Sequence, residues 1–502
     1  MTVISGRQSF PVNRPWPPGL QSVSNDAPVL TPAESMQTMF MPPGYRLELV
    51  ASEPLVQDPV FATWDPDGRL WVVEAPEYMR DILFTGQFDP IGRIVVLEDT
   101  NDDGRMDKRT VFADGLIQAR SIAILEQGVL VEETPNVWLM RDTNGDLRAD
   151  TKTLITDRFG RREASFEHNA NGFYWALDNR MYTANSDVYF HETASGTIET
   201  LPTLDRGQWG VTQDDAGRIF RATNENVLHL DFVPTPYYAR HPRLLRTRGS
   251  YESMSGENGE ENVVWPVRPT RGVNRGYQTG ILRDDGRLAK FTSSTAPTIY
   301  RGDRLPSDLY GNVFVAEPAG NTVSRLTLTD TGTTLVAHKA YPDAEFLSAT
   351  DERFRPVNLT NAPDGTLYIV DMYRGIVQQR SDITEYLRDQ VLSRKLEQPI
   401  GLGRIYRVMY ETTTRAPKPA LSTMTSAQLV GVLSHPNGWY RDTAQRMLVE
   451  RRDRSVVPAL VSIVESGAPA RTRLKALWVL DGLDAIEPAL VTKTLEDPDR
   501  DM

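Results

Sequence analysis

From Gly44 onward, hydrophobic and polar residues alternate in short runs, and each run is entered through a tight glycine turn. The phrase recurs as DPDGRLWVVEA from 65, LEQGVLVEET from 125, ANGFYWALDNRMYTAN from 170, DDAGRIFRATN from 214, LYGNVFVAEP from 309 and APDGTLYIVDM from 362. A turn glycine followed by β-branched and aromatic residues predicts a hairpin. Six such units, most of them roughly 43 to 60 residues apart, predict a mainly β chain folded as a six-bladed β-propeller. A sandwich would place turn signals every 8 to 12 residues. The interval from 214 to 309 is about twice the others and holds a stretch rich in Arg, Gly, Pro and Tyr. It reads as an insertion over about 235–300 that crosses one face of the ring. GYRLELVAS at 44 and GRIYRVMYE at 403 are the strands expected to close the ring, within a propeller spanning 42–412.

The flanks lack the two-residue period. Residues 1–41 carry many Pro, Ser and Asn residues and read as an extended arm, with a short helix over Pro32–Phe40. Beyond Pro417 apolar residues recur at i, i+3, i+4 and i+7, predicting short amphipathic helices over 418–502. The pattern is HEAT-like, and its end at DPDRDM without a polar cap reads as a truncated array.

Composition narrows the function classes. A formal net charge of -12 and a pI near 5.2 argue against a nucleic-acid surface, which needs clustered Lys and Arg. The absence of Cys excludes disulfides, thiolate metal sites and C-x-x-C-H haem attachment in this chain. No apolar run approaches the roughly 18 residues that span a bilayer, and the N-terminus lacks the pattern of a signal peptide. No Walker loop, G-x-G-x-x-G after a strand, H-E-x-x-H or G-x-S-x-G is present.

Two acid-rich loops stand out. Asp99, Asn101, Asp103 and Asp107 place oxygen side chains at positions 1, 3, 5 and 9 of an EF-hand-like loop, with Gly104 at position 6 and Arg105 at position 7. Hard oxygen donors around a glycine turn suit Ca²⁺. Asp142, Asn144, Asp146 and Asp150 repeat the spacing, with Leu147 in place of the glycine. Thr110 and Thr153 stand where an EF-hand has its closing Glu, so another segment would have to complete either shell. The alternative is a pair of solvated acidic turns.

PPGYRLELVASEP, GRIVVLEDTNDDGRMDKRTVFADGL, HNANGFYWALDNRMYTAN and RPVNLTNAPDGTLYIVDMYRG followed by GLGRIYRV resemble the membrane-bound dehydrogenase-type propellers of planctomycetes and their relatives. Those belong to the soluble glucose/sorbosone dehydrogenase superfamily of quinoproteins. The resemblance implies a PQQ held over the central channel with Ca²⁺, a His as general base, Arg and Asn side chains on the quinone, and a sugar or related alcohol as substrate. It also implies an external electron acceptor such as a cytochrome and a periplasmic or extracellular location.

His168, which opens HNANG just before a blade strand, is the expected base, because a His titrates near neutral pH without special tuning. Arg271 and Tyr373 are the expected catalytic partners. Arg120, Asn169, Trp209, Asn274, Arg355, Asn358 and Arg374 are expected to hold the cofactor, with Arg206 and Arg275 in the same set of pre-strand and post-strand positions. An inward ring of guanidinium groups would make an anion site for the carboxylates of PQQ or of a uronate. Glu74 and Tyr78 are expected at the same pocket. Two other readings stay open: a cofactor-free lyase or hydrolase using His168, and a non-catalytic Ca²⁺-stabilised binding module.

Overall fold

The structure is a computed structural model and describes residues 14–244, 252–254, 259–332 and 335–502. It is a six-bladed β-propeller followed by a C-terminal region of several helices. Blade one is built from Pro59–Trp64, Leu70–Glu74, Gly92–Glu98 and Lys108–Leu116, in order from the axis outward. Blade two begins at Ala119–Leu125, blade three at Asn171–Trp175, blade four at Val211–Gln213, blade five at Thr295–Ile299 and blade six at Pro356–Asn361. These six inner strands contact one another around a closed ring. Blade six takes its outermost strand, Tyr45–Ser52, from the start of the ring, antiparallel to Arg404–Tyr410 in a register from Tyr45 opposite Tyr410 to Ser52 opposite Arg404. Closure by a strand remote in sequence removes the open edge of the sheet array.

The recurring glycine turns join the first and second strands of the blades. At Gly68, Gly217 and Gly365 φ is +75°, +82° and +81°, a region that costs other residues strain. A second repeat lies at the far end of the second strand, where the blade phrase ends in an acid in four blades. Glu74 accepts from the amide of Gln57, Glu133 from Ile117, Glu317 from Thr292 and Ser293, and Asp371 from Arg355. Each carboxylate thereby fixes the chain one to three residues before the inner strand of its own blade. Glu74, which also pairs with Arg93 and Arg109 at 2.9 Å each, is buried in blade one and does not line the pocket. Five of the inner strands also carry a register shift near their starts, which bends the strand and re-aims its first side chains.

The arm forms a helix only over Pro32–Met36, capped by Thr31 and Glu34, and then the strand Met39–Phe40 against Leu347–Ala349. Of the insertion, residues 259–294 run across the end of the ring at which the inner strands begin, the upper face. At the lower face sit the C-terminal helices, led by Ser426–Val432, Gly438–Arg451, Val457–Val464 and Ala470–Gly482. Gly438–Arg451 lies across the glycine turns: Gln445 donates to the Leu177 carbonyl at 2.7 Å and Asn437 to the Ala362 carbonyl at 2.9 Å. Arg301 grips Asp442 through two nitrogens at 2.7 and 3.0 Å, and Asp215 joins Arg301 to Arg441. Among the described residues, no helix is long and apolar enough to cross a membrane.

Candidate functional site

The upper end of the axial channel opens into a cavity of about 450 Å³. Its floor is Trp209, which also borders a lower chamber of about 190 Å³ closed from beneath by Trp439 and Asp442 of the docked helix. The inner strands descend past Trp209, so Val60, Thr295 and Val357 face the upper cavity while Thr63, Thr298 and Thr360 face the lower chamber. Access to the cavity is therefore from the upper face.

One wall is a run of rings. Tyr78 packs on Phe166 with centroids 4.7 Å apart, and Phe166 on Trp209 at 5.8 Å. Beside them Glu167 turns its carboxylate into the cavity wall and accepts a short hydrogen bond from the Tyr78 hydroxyl. Burial pushes the Glu167 carboxyl up to about 7, the Tyr78 hydrogen bond opposes this, and Asp382 adds to the rise. Burial also drives the Tyr78 hydroxyl well above its ordinary range. No repeated pattern marks this ring-lined carboxyl in the sequence, because it lies in a loop outside the blade phrase.

His168 lines the cavity mouth, and its neighbours fix its proton. The Gln208 carbonyl oxygen accepts from the Asn224 amide at 3.0 Å, so the Gln208 NH₂ faces the imidazole, 3.0 Å from Nδ1. The donor lies nearer Nδ1 than Nε2, 3.0 against 3.5 Å, which favours the tautomer with the ring proton on Nε2. Burial lowers the His168 pKa, with Asp382 pulling the other way, so the neutral form holds at neutral pH. The imidazole offers the cavity an N–H donor rather than a lone pair, which differs from the base expected of it.

The expected guanidinium ring does not assemble. Arg355 borders the cavity, but its nitrogens donate to the carbonyls of Arg374, Pro318 and Gly375 at 3.1, 2.6 and 3.2 Å, and burial lowers its pKa to about 10. Arg275 stands at the rim, paired with Glu225 at 3.1 Å. Arg120 lies below the Trp209 floor, held by the Phe166 and Gln118 carbonyls, and Arg374 is buried on Asp58 at 2.8 Å. Arg271 points outward to Asn25, and Arg206 lines neither chamber. Tyr373 faces the arm: its hydroxyl accepts from the Leu30 amide at 2.9 Å, and Arg404 lies over its ring at 3.4 Å. Asn169 turns back on Arg161, and Asn358 accepts from the Ala62 amide between blades six and one in the lower chamber. The structure therefore brings His168, Trp209, Asn274, Arg275, Arg355 and Tyr78 to one cavity. Arg120, Asn169, Arg271, Asn358, Tyr373 and Arg374 lie elsewhere: Arg120 and Asn358 sit on strands that open with a register shift, and the other four sit in loops whose partners lie away from the cavity.

The acidic loops join the third and fourth strands of blades one and two, far out from the axis. Asp99 accepts from the amides of Asp103 and Gly104, and Asp103 from Arg105; Asp142 accepts from Asn144 and Leu147, and Asp146 from Arg148. Asp107 and Asp150 hold Thr100 and Thr143 in the two loops. Leu147 takes φ +63° where Gly104 takes +88°. Among the described residues, no three Asp, Glu or His side chains converge to hold a metal ion.

The chain belongs to the family described as a domain of unknown function (DUF7133), which matches residues 31–412. No curated protein sequence matches it significantly. Among solved structures it is similar to a luciferin-regenerating enzyme at 10% identity, covering 75% of this chain and 99% of that one, with a TM-score of 0.42. It is also similar to the PQQ domain of pyranose dehydrogenase from Coprinopsis cinerea, at 13% identity over 74% of this chain and 97% of that one, TM-score 0.39. A third is the PQQ-bound aldose sugar dehydrogenase of Streptomyces coelicolor, at 11% identity over 74% and 100%, TM-score 0.37.

Proposed function

We propose that the chain is an acid–base enzyme, of lyase or hydrolase type, acting on a sugar or related polyhydroxylated compound in the cavity above Trp209. The observation that carries the reading is the half-buried Glu167 carboxyl on the cavity wall, hydrogen-bonded by Tyr78 and adjacent in sequence to a neutral His168. A carboxyl that titrates near 7 holds its proton or releases it close to working pH, which suits a general base. Glu167 takes a proton from a substrate hydroxyl or from the carbon beside a carbonyl. His168 Nε2–H donates to the substrate oxygen on which negative charge grows. Tyr78 orients the carboxylate, and Gln208 with Asn224 holds the imidazole in its donor tautomer. Asp382 and the buried, unpartnered Ser294 hydroxyl add polar groups for substrate hydroxyls.

Oxidation through PQQ is the second reading, favoured by the Trp209 plate and by Arg355 on the wall. PQQ would supply a hydride acceptor when bound. Its carboxylates call for cations, and the cavity meets them with Arg355 committed to carbonyls, Arg275 committed to Glu225, and Glu167 and Asp382 exposed to the same space. These residues do not fit the quinone.

The test is turnover of a panel of uronates, aldonolactones and glycosides, followed by unsaturated-product absorbance or acid release, beside dye reduction with PQQ and Ca²⁺. Cofactor-free turnover abolished by Glu167→Gln is the expected result. Dye reduction alone would replace the first reading with the second, and inertness toward every compound would remove both.

A further inference from the structure

The cavity does not end at its polar interior. At its mouth the insertion presents Tyr277, 60% exposed and bordering the cavity, with the Tyr386 ring 6.0 Å away at 50°. A large ring left this open keeps its apolar face in water, and it sits on a segment that is fastened rather than loose. Asn274 donates to the Asp382 carbonyl and accepts from the Thr384 amide at 2.9 Å. The Tyr386 hydroxyl donates to the Arg271 carbonyl at 3.0 Å. A Cβ at position 276 would lie 2.8 Å from the Tyr386 ring, so only glycine lets that ring press against the insertion backbone. Thr384 also caps the helix Glu385–Ser393, which carries Tyr386. The two rings are thus positioned from both sides of the mouth, and Arg275 and Asp382 flank them with hydrogen-bonding groups.

From this geometry we infer that the site takes a glycoside or oligosaccharide rather than a free monosaccharide, with a second sugar ring stacked on Tyr277 while the first occupies the cavity above Trp209. The inference rests on the reading of the cavity as a carbohydrate site and adds the length of the substrate. The first ring lies in the cavity of about 450 Å³, and Tyr277 stands at its mouth, where a second ring would lie. There an aromatic face offers stacking to the apolar face of a sugar, and polar neighbours meet its hydroxyls.

The experiment titrates the full chain with glucose, glucuronate, cellobiose and maltose, reading heat by calorimetry. A disaccharide is expected to bind about tenfold more tightly than its monosaccharide, the worth of ~1.4 kcal/mol. Tyr277→Ala should bring the two within about threefold by weakening the disaccharide more than the monosaccharide, and Tyr277→Phe should keep the preference. Equal binding of one-ring and two-ring sugars, or a preference untouched in Tyr277→Ala, overturns the second subsite while leaving the cavity reading intact. No binding of any saccharide overturns both.

Discussion

Replacing Glu167 by Gln keeps the shape of the side chain and its acceptor for the Tyr78 hydroxyl but removes the ability to ionise. In the folded protein the carboxyl is raised from its ordinary 4.5 to about 7, chiefly by burial. That gap corresponds to ~3 kcal/mol at 1.36 kcal/mol for each tenfold, and water entering through the cavity mouth reduces it to ~2 kcal/mol. The sign follows from proton binding. Between pH 4.5 and 7 the native state holds the proton that the unfolded chain has lost, so stability falls as pH rises through that window and is flat above it. Glu167→Gln escapes the loss. It should match the wild type at pH 4 and exceed it by ~2 kcal/mol at pH 8 in urea unfolding, while catalysis falls by about 10²- to 10⁴-fold. Glu77, Glu132, Glu317 and Asp371 are also raised by burial, and they cancel in the difference between the two proteins. A gain in stability coupled to a loss of activity marks a residue kept for chemistry. No gain at pH 8, or a ¹³C-labelled Glu167 carboxyl that titrates near 4.5, would refute the reasoning.

Gln208→Glu places an acceptor against His168 Nδ1, so the imidazole should protonate at higher pH, read as an upward shift in its ¹H NMR titration, with the neutral donor lost below that point. An unchanged titration would show that Gln208 does not set the tautomer. Asp442→Ala leaves Arg301 buried against Asp215 alone and should cost ~3–5 kcal/mol, seen as earlier proteolysis of the C-terminal helices. The same carboxylate is lowered to about 2 by Arg301 and Lys475, so its contribution is present above the ordinary 3.8 and fades as pH falls through about 2. Calcium at the two acidic loops rests on their alternating oxygens. If it binds there, EDTA lowers Tm and Ca²⁺ but not Mg²⁺ restores it, whereas a melt indifferent to chelation removes the ion.

The repeat by itself determined the architecture. A glycine that tolerates positive φ, followed by a strand with a period of two, can form only a hairpin in each unit, and six units with strand character at both ends close as a ring. The change of period beyond Pro417 likewise marked the helices. Which side chains meet at the axis was decided only by the tertiary structure. The alternation that assigns faces breaks at the register shifts that open five inner strands: Arg120, second in its strand, falls below the Trp209 floor, while Arg355, one residue before its strand, lies beside the upper cavity. Burial then sets the chemistry: a guanidinium without a carboxylate turns to main-chain carbonyls, and a carboxyl among Tyr78 and Phe166 is raised to titrate at about 7. The tautomer of His168 depends on Asn224, 56 residues away, through the amide of Gln208, a relation that no local pattern encodes.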